Sequence, residues 1–157
     1  MIISEEIQIN APLTIVWSVF TCLEAWNKWN AVCESACLRN SPSENTCAGR
    51  PISEGDCISF AIRPIIFPVR ITPRITKCIP KKEIVWEGSR FGIRAEHTFT
   101  FTDCGRSVLV KSTEKFSGIG VILSRLALVP SRLHRLSGDL LASLKREAES
   151  RRGSIEL

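Results

Sequence analysis

The last third of the chain carries one long apolar stripe at helical spacing. Between positions 119 and 149 apolar side chains recur every three or four residues, so they fall on one side of a predicted helix. This helix would be roughly 45 Å long at about 1.5 Å per residue, and its stripe needs a cover of similar size. The stripe consists of Leu123, Leu126, Val129, Leu133, Leu136, Leu140, Leu144 and Ala148.

Pro130 interrupts this pattern. Proline lacks a backbone N–H and clashes with the carbonyl four residues earlier, so we expect a kink or a break, with Ser131 capping the second segment. Farther along, Ser137 and Gly138 are small. They either permit close packing against another element or leave room for a bound molecule.

The preceding residues alternate apolar and polar side chains with a period near two, which predicts strands. The first strand, at 3–9, precedes two short helical pieces, at 12–23 and 24–30, with Pro12 in the first turn and Asn10 or Ala11 at the cap. Residues 40–55 read as a loop, and turns are expected at 63–67, 80–82 and 103–106. The later strands are predicted at 33–38, 56–63, 69–79 with a bend or an edge position at Pro73, 83–89, 94–102 and 107–116.

Short connections between the later strands indicate an antiparallel meander, whose apolar face must wrap around something. The C-terminal helix offers the only long apolar stripe. We therefore predict an α+β fold in which a curved antiparallel sheet of about six to seven strands wraps around the long C-terminal helix, with two short helices after the first strand. Residues 1–152 would form one domain and 153–157 a tail. A strongly twisted sheet curled around one helix tends to leave a gap where its ends splay.

The composition limits the classes of partner that the protein is expected to bind. The 157 residues include 21 Lys and Arg against 16 Asp and Glu, a net charge of +5 that is spread along the chain. Nucleic-acid binding is not expected, because no basic stripe with interleaved aromatic residues is present. Polar residues break any secretory signal near the start, and no window reaches the roughly 18 apolar residues of an integral membrane segment.

The seven cysteines are odd in number and follow no C-x-x-C spacing, so we expect reduced thiols and a cytoplasmic location. Cys33 and Cys37 are too far apart for a metal pair, since four residues along a strand span roughly 13 Å. We expect neither a metal nor a cofactor.

His97 is the first candidate for chemistry. Alternation places it on the same face as the two phenylalanines that follow it, which is the concave face if those rings are core. With a turn at 103–106, Phe101 would pair with Val108 and His97 would fall opposite Ser112.

The same register would place Glu114 opposite Ala95, within reach of His97. A histidine beside a carboxylate in an apolar cavity could act as a general acid or base. The alternative is a cavity-wall histidine that is hydrogen-bonded to Ser112 or Glu114 without a catalytic role. Glu114 could instead lie at the sheet end, in contact with solvent or a helix N-terminus.

The remaining candidates are less distinctive. Trp17, Trp26 and Trp29 either plug the wide end of the cavity or line a ligand entrance, and His134 is expected on a solvated flank of the helix. No nucleophile elbow, phosphate loop or zinc helix is present, and the absence of tyrosine removes a common phenolic acid. The arginines that either anchor a ligand carboxylate or remain mobile surface charges are Arg63, Arg70, Arg74, Arg90 and Arg94.

The order of elements and several local motifs resemble the superfamily of START-related lipid-transfer proteins, the birch-pollen allergen and polyketide cyclases/dehydrases (SRPBCC proteins). The resemblance implies a helix-grip fold with a deep apolar cavity between sheet and helix. It does not choose between carriers, receptors and enzymes. The motifs that carry the resemblance are Ile9-Asn10-Ala11-Pro12, Val16-Trp17, Trp26-Asn27-Lys28-Trp29-Asn30, Gly55, Ile84-Val85-Trp86-Glu87-Gly88, His97-Thr98-Phe99-Thr100-Phe101, Glu114-Lys115-Phe116-Ser117-Gly118 and Leu144-Lys145-Arg146-Glu147-Ala148-Glu149.

The first hypothesis is a monomeric or homodimeric protein that binds, and in some settings transports, a small hydrophobic or amphipathic molecule. Its affinity would come from burying ligand carbon, at about 25 cal/mol per Å². The second is a cyclase or dehydratase in which His97 moves protons. A protein-interaction module is disfavoured, because the outward residues of the strand at 94–102 form no apolar patch. The expected cavity residues are Phe60, Ile71, Trp86, His97, Phe99, Ser112, Leu126, Val129, Leu133 and Leu136.

Overall fold

A computed structural model describes residues 1–39, 50–62, 69–90, 92–118 and 129–155. The described chain begins with a strand and two short helices, continues through seven strands, and ends with a long helix. The elements are β1 (Ile2–Ile9), α1 (Leu13–Thr21), a 3-10 turn (Leu23–Ala25), α2 (Trp26–Trp29), β2 (Cys33–Arg39), β3 (Cys57–Ile62), β4 (Val69–Ile71), β5 (Arg74–Ile79), β6 (Glu83–Arg90), β7 (Ile93–Asp103), β8 (Val108–Ser117) and α3 (Val129–Ile155).

One antiparallel sheet runs through the described residues in the order β1-β8-β7-β6-β5-β3-β2, with the short β4 beside β3. The last strand, β8, pairs with the first, and β1 and β2 form the two edges of the sheet. The sheet curls around α3, and the predicted α+β helix-grip architecture is confirmed. No described helix is long and apolar enough to cross a membrane.

Aromatic rings fill one end of the concave face. Phe20 on α1 is fully buried and lies against Trp26, Trp86, Phe99 and Phe101, with ring centroids 4.8–6.2 Å apart. The indole Nε1 of Trp26 donates to the Phe20 carbonyl oxygen at 2.8 Å, so this buried polar atom is satisfied. The rings thereby join α1 and α2 to the middle of the sheet and close that end of the interior.

The C-terminal half of α3 packs closely against this core. Leu140, Leu141, Leu144 and Ala148 are buried, in agreement with the predicted stripe. Polar contacts with the end of β1 hold the same half of the helix: Lys145 Nζ donates to the Gln8 carbonyl oxygen at 2.7 Å, and Glu149 Oε1 accepts from the Asn10 backbone N–H at 2.8 Å. The helix is therefore anchored near its end.

Three details of the predicted elements differ from the structure. Helix α1 has Pro12 at its N-cap, so the expectation of Asn10 or Ala11 there is wrong. The predicted strand at 69–79 breaks at Thr72–Pro73 into β4 and β5, because proline has no N–H for the ladder. Ser131 lies inside α3 and does not cap it.

Pro130 is the second residue of the described part of α3, and the predicted kink or break there stays a prediction, because it depends on the residues that precede it. The predicted helical segment 119–128, the turn at 63–67 and the loop portion 40–49 lie outside the described residues.

The register between β7 and β8 is shifted by two residues from the prediction. Phe101 pairs with Val110 rather than Val108, and His97 pairs with Glu114 rather than Ser112. The strands continue to the pair Asp103–Val108, so the connecting turn starts one residue later than expected. Since a shift of two keeps every side chain on its predicted face, the His97 ring still points into the concave side.

The cysteines are not all reduced. Cys22, Cys33, Cys57, Cys78 and Cys104 form no disulfide bond, as expected, but Cys37 is disulfide-bonded. The expectation of reduced thiols throughout is therefore wrong at Cys37, since an odd count and irregular spacing do not exclude a single bridge.

Gly138 and Gly118 allow a matched test of where the backbone requires glycine. A Cβ at Gly138 would meet no heavy atom of the described residues within 4 Å, so close packing does not explain this glycine. We predict that Gly138→Ala raises the free energy of unfolding by about 1 kcal/mol, because alanine is the better helix former. Gly118 has φ +102°, and a Cβ there would collide with the Gly92 carbonyl oxygen. Gly118→Ala should lower the free energy of unfolding by about 1–3 kcal/mol.

Urea denaturation of both variants measures these changes. A loss of stability in Gly138→Ala would contradict the open space beside the helix, and an unchanged Gly118→Ala would contradict the left-handed turn.

Candidate functional site

Two adjoining chambers lie between the concave face of the sheet and the N-terminal half of α3. The inner chamber has a volume of about 100 Å³ and the outer one about 650 Å³. The outer volume lies within the range typical of small-molecule sites. Six residues line both chambers, and we call the place that they surround the passage: Ile62, Ile71, Trp86, His97, Glu114 and Leu133.

His97 lies at this passage. Its Nε2 is 2.7 Å from Ser112 Oγ, which in turn lies 3.0 Å from Ser137 Oγ on α3. The imidazole stacks on Phe99 with centroids 4.1 Å apart, and Trp86 meets its edge at 5.3 Å. The ring is therefore held by a hydrogen bond on one nitrogen and by aromatic contacts on its faces and edge.

The other nitrogen of His97 faces Glu114. Nδ1 and Glu114 Oε1 are 3.8 Å apart, too far for a direct hydrogen bond, and the two side chains are only 12% and 20% exposed. Burial lowers the pKa of His97 to about 3 and raises the pKa of Glu114 to about 7. At neutral pH the imidazole is uncharged, and roughly half of the Glu114 carboxyls hold a proton.

This pair can both donate and accept. A neutral imidazole presents either an N–H or a lone pair at Nδ1, according to the tautomer that the Ser112 hydroxyl selects. A protonated carboxyl is a donor and its ionised form an acceptor. A polar atom of a ligand in the passage could contact both groups, which is the arrangement that acid–base chemistry requires.

Apolar side chains make up most of the inner wall, together with two further polar residues, Asn30 and Ser137. Asn30 follows the short helix α2 and is 2% exposed. Its Oδ1 accepts from the Val32 backbone N–H at 3.1 Å, but its Nδ2 has no hydrogen-bond partner among the described residues.

The outer chamber has a different electrostatic character. Arg70 and Arg90, together with Met1, contribute to its wall, and both arginines are exposed. Arg90 Nη1 donates to the Arg70 carbonyl oxygen at 2.6 Å, so the two strands that carry the arginines, β4 and β6, are joined at the rim. Positive charge therefore lies only at the outer end, since no Lys or Arg lines the described inner wall.

The predicted cavity residues fall into three groups. Phe60, Ile71, Trp86, His97, Leu133 and Leu136 line the inner chamber, as does the catalytic candidate Glu114. Phe99 and Ser112 are buried directly behind His97 and support it. Leu126 lies outside the described residues, as does the side chain of Val129. A role in ligand binding remains a prediction for all of them.

Sequence reasoning missed several wall residues. Asn30, Val32 and Cys33 are brought to the inner chamber by the sharp exit from α2 into β2, and Leu140 by the helix. The motif around Asn30 was visible in the sequence, but its burial was not. A polar residue directly after two tryptophans is the signal that could have pointed to it.

The other candidates take structural positions. Trp26 lines the inner chamber and packs on its aromatic neighbours, whereas Trp17 packs edge-on against Phe101. His134 is on the exposed flank of α3, as expected, but its Nδ1 is also 2.7 Å from Glu5 Oε1 on β1. Of the five arginines, Arg94 pairs with Glu87 at 3.7 Å, and Arg63 lies outside the described residues.

Solved structures share this architecture at low sequence identity. The Thermus thermophilus protein TTHA0849 has a TM-score of 0.75 at 17% identity, covering 96% of this chain and 99% of its own. A START superfamily protein from Mycobacterium smegmatis scores 0.65 at 15% identity, covering 98% of both chains. The ZhuI aromatase/cyclase from a Streptomyces species scores 0.71 at 12% identity, covering 96% of this chain and 94% of its own. These likenesses concern the fold.

No protein of curated function matches the sequence significantly. The sequence profile for polyketide cyclase/dehydrase and lipid transport proteins, in contrast, matches residues 1–149, nearly the whole chain. The chain therefore belongs to the polyketide cyclase/dehydrase and lipid transport family.

Proposed function

We propose that the protein binds a small amphipathic molecule in the two chambers between the sheet and α3. The observation that carries the proposal is the form of the cavity: a largely apolar chamber of about 650 Å³ adjoins an inner chamber of about 100 Å³, and the titratable pair His97 and Glu114 lies where the two meet. Family membership and the likeness to START and aromatase/cyclase structures support it.

The volumes of the two chambers indicate which part of the ligand each would hold. The inner chamber is smaller than a cavity that holds benzene, roughly 150 Å³, so it accommodates a head group or the edge of one ring. The apolar body of the ligand occupies the outer chamber, where burial contributes about 25 cal/mol per Å². Arg70 and Arg90 at the rim suit a ligand whose outer end is anionic or polar.

The first test looks for the ligand itself. Native mass spectrometry of freshly purified protein should reveal a bound molecule, or a gain in mass after incubation with the bicyclic hydrocarbon tetralin. Leu136 lines the inner chamber, so Leu136→Trp should lower tetralin affinity at least about tenfold by filling the space that the ligand needs. Quenching of tryptophan fluorescence measures this affinity in the wild-type protein, because Trp26 and Trp86 lie in the wall.

Arg135→Trp is the matched control, since it adds the same indole on the exposed side of α3. Native mass spectrometry compares the two variants, whose extra indoles would confuse a fluorescence signal. Wild-type affinity in Leu136→Trp, with an unchanged melting temperature, would contradict the proposed site. A wild-type protein that carries no molecule and takes up no tetralin would contradict the function.

A second function is favoured by the opposed protonation states at the passage. An uncharged imidazole and a carboxyl that holds its proton near neutral pH lie 3.8 Å apart in an apolar enclosure. Such a pair suits proton transfer at a carbon next to a carbonyl, the step that aldol-type cyclisation and dehydration share. In this alternative the ionised form of Glu114, whose pKa of about 7 suits a general base, removes the proton, and the neutral imidazole of His97 donates a hydrogen bond to the carbonyl oxygen.

Exchange of solvent deuterium into 1-tetralone tests this alternative without the natural substrate. If this pair transfers protons, the protein should accelerate exchange at the carbon next to the carbonyl by about 10²-fold or more over buffer, and Glu114→Gln and His97→Ala should each abolish the acceleration. Arg135→Gln should retain it. Binding of 1-tetralone without faster exchange would leave the carrier function and exclude proton transfer on this ketone.

The same two residues make stability depend on pH in opposite directions. Between pH 4.5 and about 7, folded Glu114 keeps a proton that the unfolded chain has lost, so the free energy of unfolding falls as pH rises. Between pH 6.5 and about 3, unfolded His97 gains a proton that the folded protein refuses, so the free energy of unfolding falls as pH drops. From pH 4.5 to 6.5 the two effects cancel.

Glu114→Gln removes one side of this balance. Relative to wild type, the variant should gain about 3 kcal/mol in free energy of unfolding as pH rises from 4.5 to 7, at 1.36 kcal/mol per pH unit. Urea titrations across this range measure the gain. Glu96→Gln, on the outer face of β7, is the control. A pH-independent difference between Glu114→Gln and wild type would show that Glu114 ionises as freely in the folded protein as in the unfolded chain.

A further inference from the structure

Asn30 is the polar residue of the inner chamber that takes no part in the acid–base pair or in the hydrogen-bonded chain of His97, Ser112 and Ser137. The orientation of its amide is determined by a neighbour: the Val32 N–H needs an acceptor, so the oxygen must face it and the NH₂ group must point the other way. The residue is 2% exposed and lines the inner chamber, and Nδ2 has no partner among the described residues.

A buried donor without an acceptor is costly, about 1–3 kcal/mol. A bound molecule that brings an acceptor oxygen to Nδ2 removes that cost, whereas a hydrocarbon of the same shape does not. Sites of this kind discriminate strongly against ligands that lack the matching polar atom.

The surrounding charges narrow the class of acceptor. No Lys or Arg lines the described inner wall, His97 is uncharged at neutral pH, and Glu114 carries partial negative charge. A carboxylate or phosphate there would be buried without a counter-ion and beside a like charge, which is strongly unfavourable. A neutral carbonyl oxygen satisfies the amide at no such cost.

We propose that Asn30 is a specificity-determining residue, whose Nδ2 donates to a neutral carbonyl oxygen of the ligand in the inner chamber. The carbonyl end therefore enters first, and the apolar body and any anionic group remain in the outer chamber near Arg70 and Arg90. This inference rests on the proposed binding function and adds to it the chemical class and the direction of the ligand.

The test compares 1-tetralone with tetralin, which differ by one carbonyl oxygen. Wild-type protein should bind 1-tetralone about tenfold more tightly, as expected for pairing an unsatisfied buried donor. Asn30→Leu, which is close to asparagine in size, removes the donor without placing a titratable group in the chamber, so the preference for the ketone should disappear. Asn27→Leu, the same change at an exposed position of α2, should preserve it.

The outcomes separate this inference from the proposed function. If neither compound binds the wild-type protein, both proposals are overturned. If both bind with equal affinity, or if Asn30→Leu retains the preference, only the role of Asn30 is overturned, as it would be if an ordered water satisfied the amide.

A second measurement covers the case in which Asn30→Leu does not fold. In ¹⁵N-labelled wild-type protein, 1-tetralone should shift the side-chain amide resonance of Asn30 and tetralin should not. Equal shifts with both compounds would overturn the inference.

Discussion

The structure depends on the asymmetric docking of α3. Its C-terminal half is held against the core by buried Leu140, Leu141 and Leu144 and by hydrogen bonds to the end of β1. Leu136 and Leu133, one and two turns earlier, are only half-buried and face the chambers. The helix is thus packed on the core near one end and lies over the cavity toward the other. The apolar stripe serves as core along one part and as cavity wall along the other.

Polar contacts determine the width of this space. Ser137 on α3 meets Ser112 on β8, which in turn contacts His97 on β7, so three elements share one buried hydrogen-bonded chain. Such a chain stays buried only if each member finds its partner, which gives the helix a preferred distance from the sheet. The same enclosure keeps water from His97 and Glu114 and thereby causes their opposed pKa shifts. The packing of α3 on the sheet therefore determines both the width of the cavity and the pKa values of His97 and Glu114.

The sequence predicts this architecture well because the architecture follows from periodicity. Alternation in β7 and the stripe of α3 define which faces are buried, and a shift of two residues along β8 leaves those faces unchanged. The register itself was predicted wrongly, because it depends on where the turn after Asp103 begins, which periodicity does not specify. Asn30 was missed for another reason. Its burial results from the packing of α2 against β2, which follows directly, and against α3, which lies far away in the chain.

The two ends of the cavity differ in charge, and this difference indicates which class of ligand the cavity would bind. Charge is stabilised at the rim, where Arg70 and Arg90 are exposed, and is disfavoured inside, where Asn30 offers an uncharged donor. An apolar cavity without this difference would accept any hydrocarbon of suitable size in either direction. With it, the inner end would select a neutral acceptor and the outer end would tolerate charge, so a bound ketone would enter with its carbonyl toward the inner chamber. A molecule that occupies both chambers passes His97 and Glu114, which line both, so the carrier and the proton-transfer functions share these wall residues.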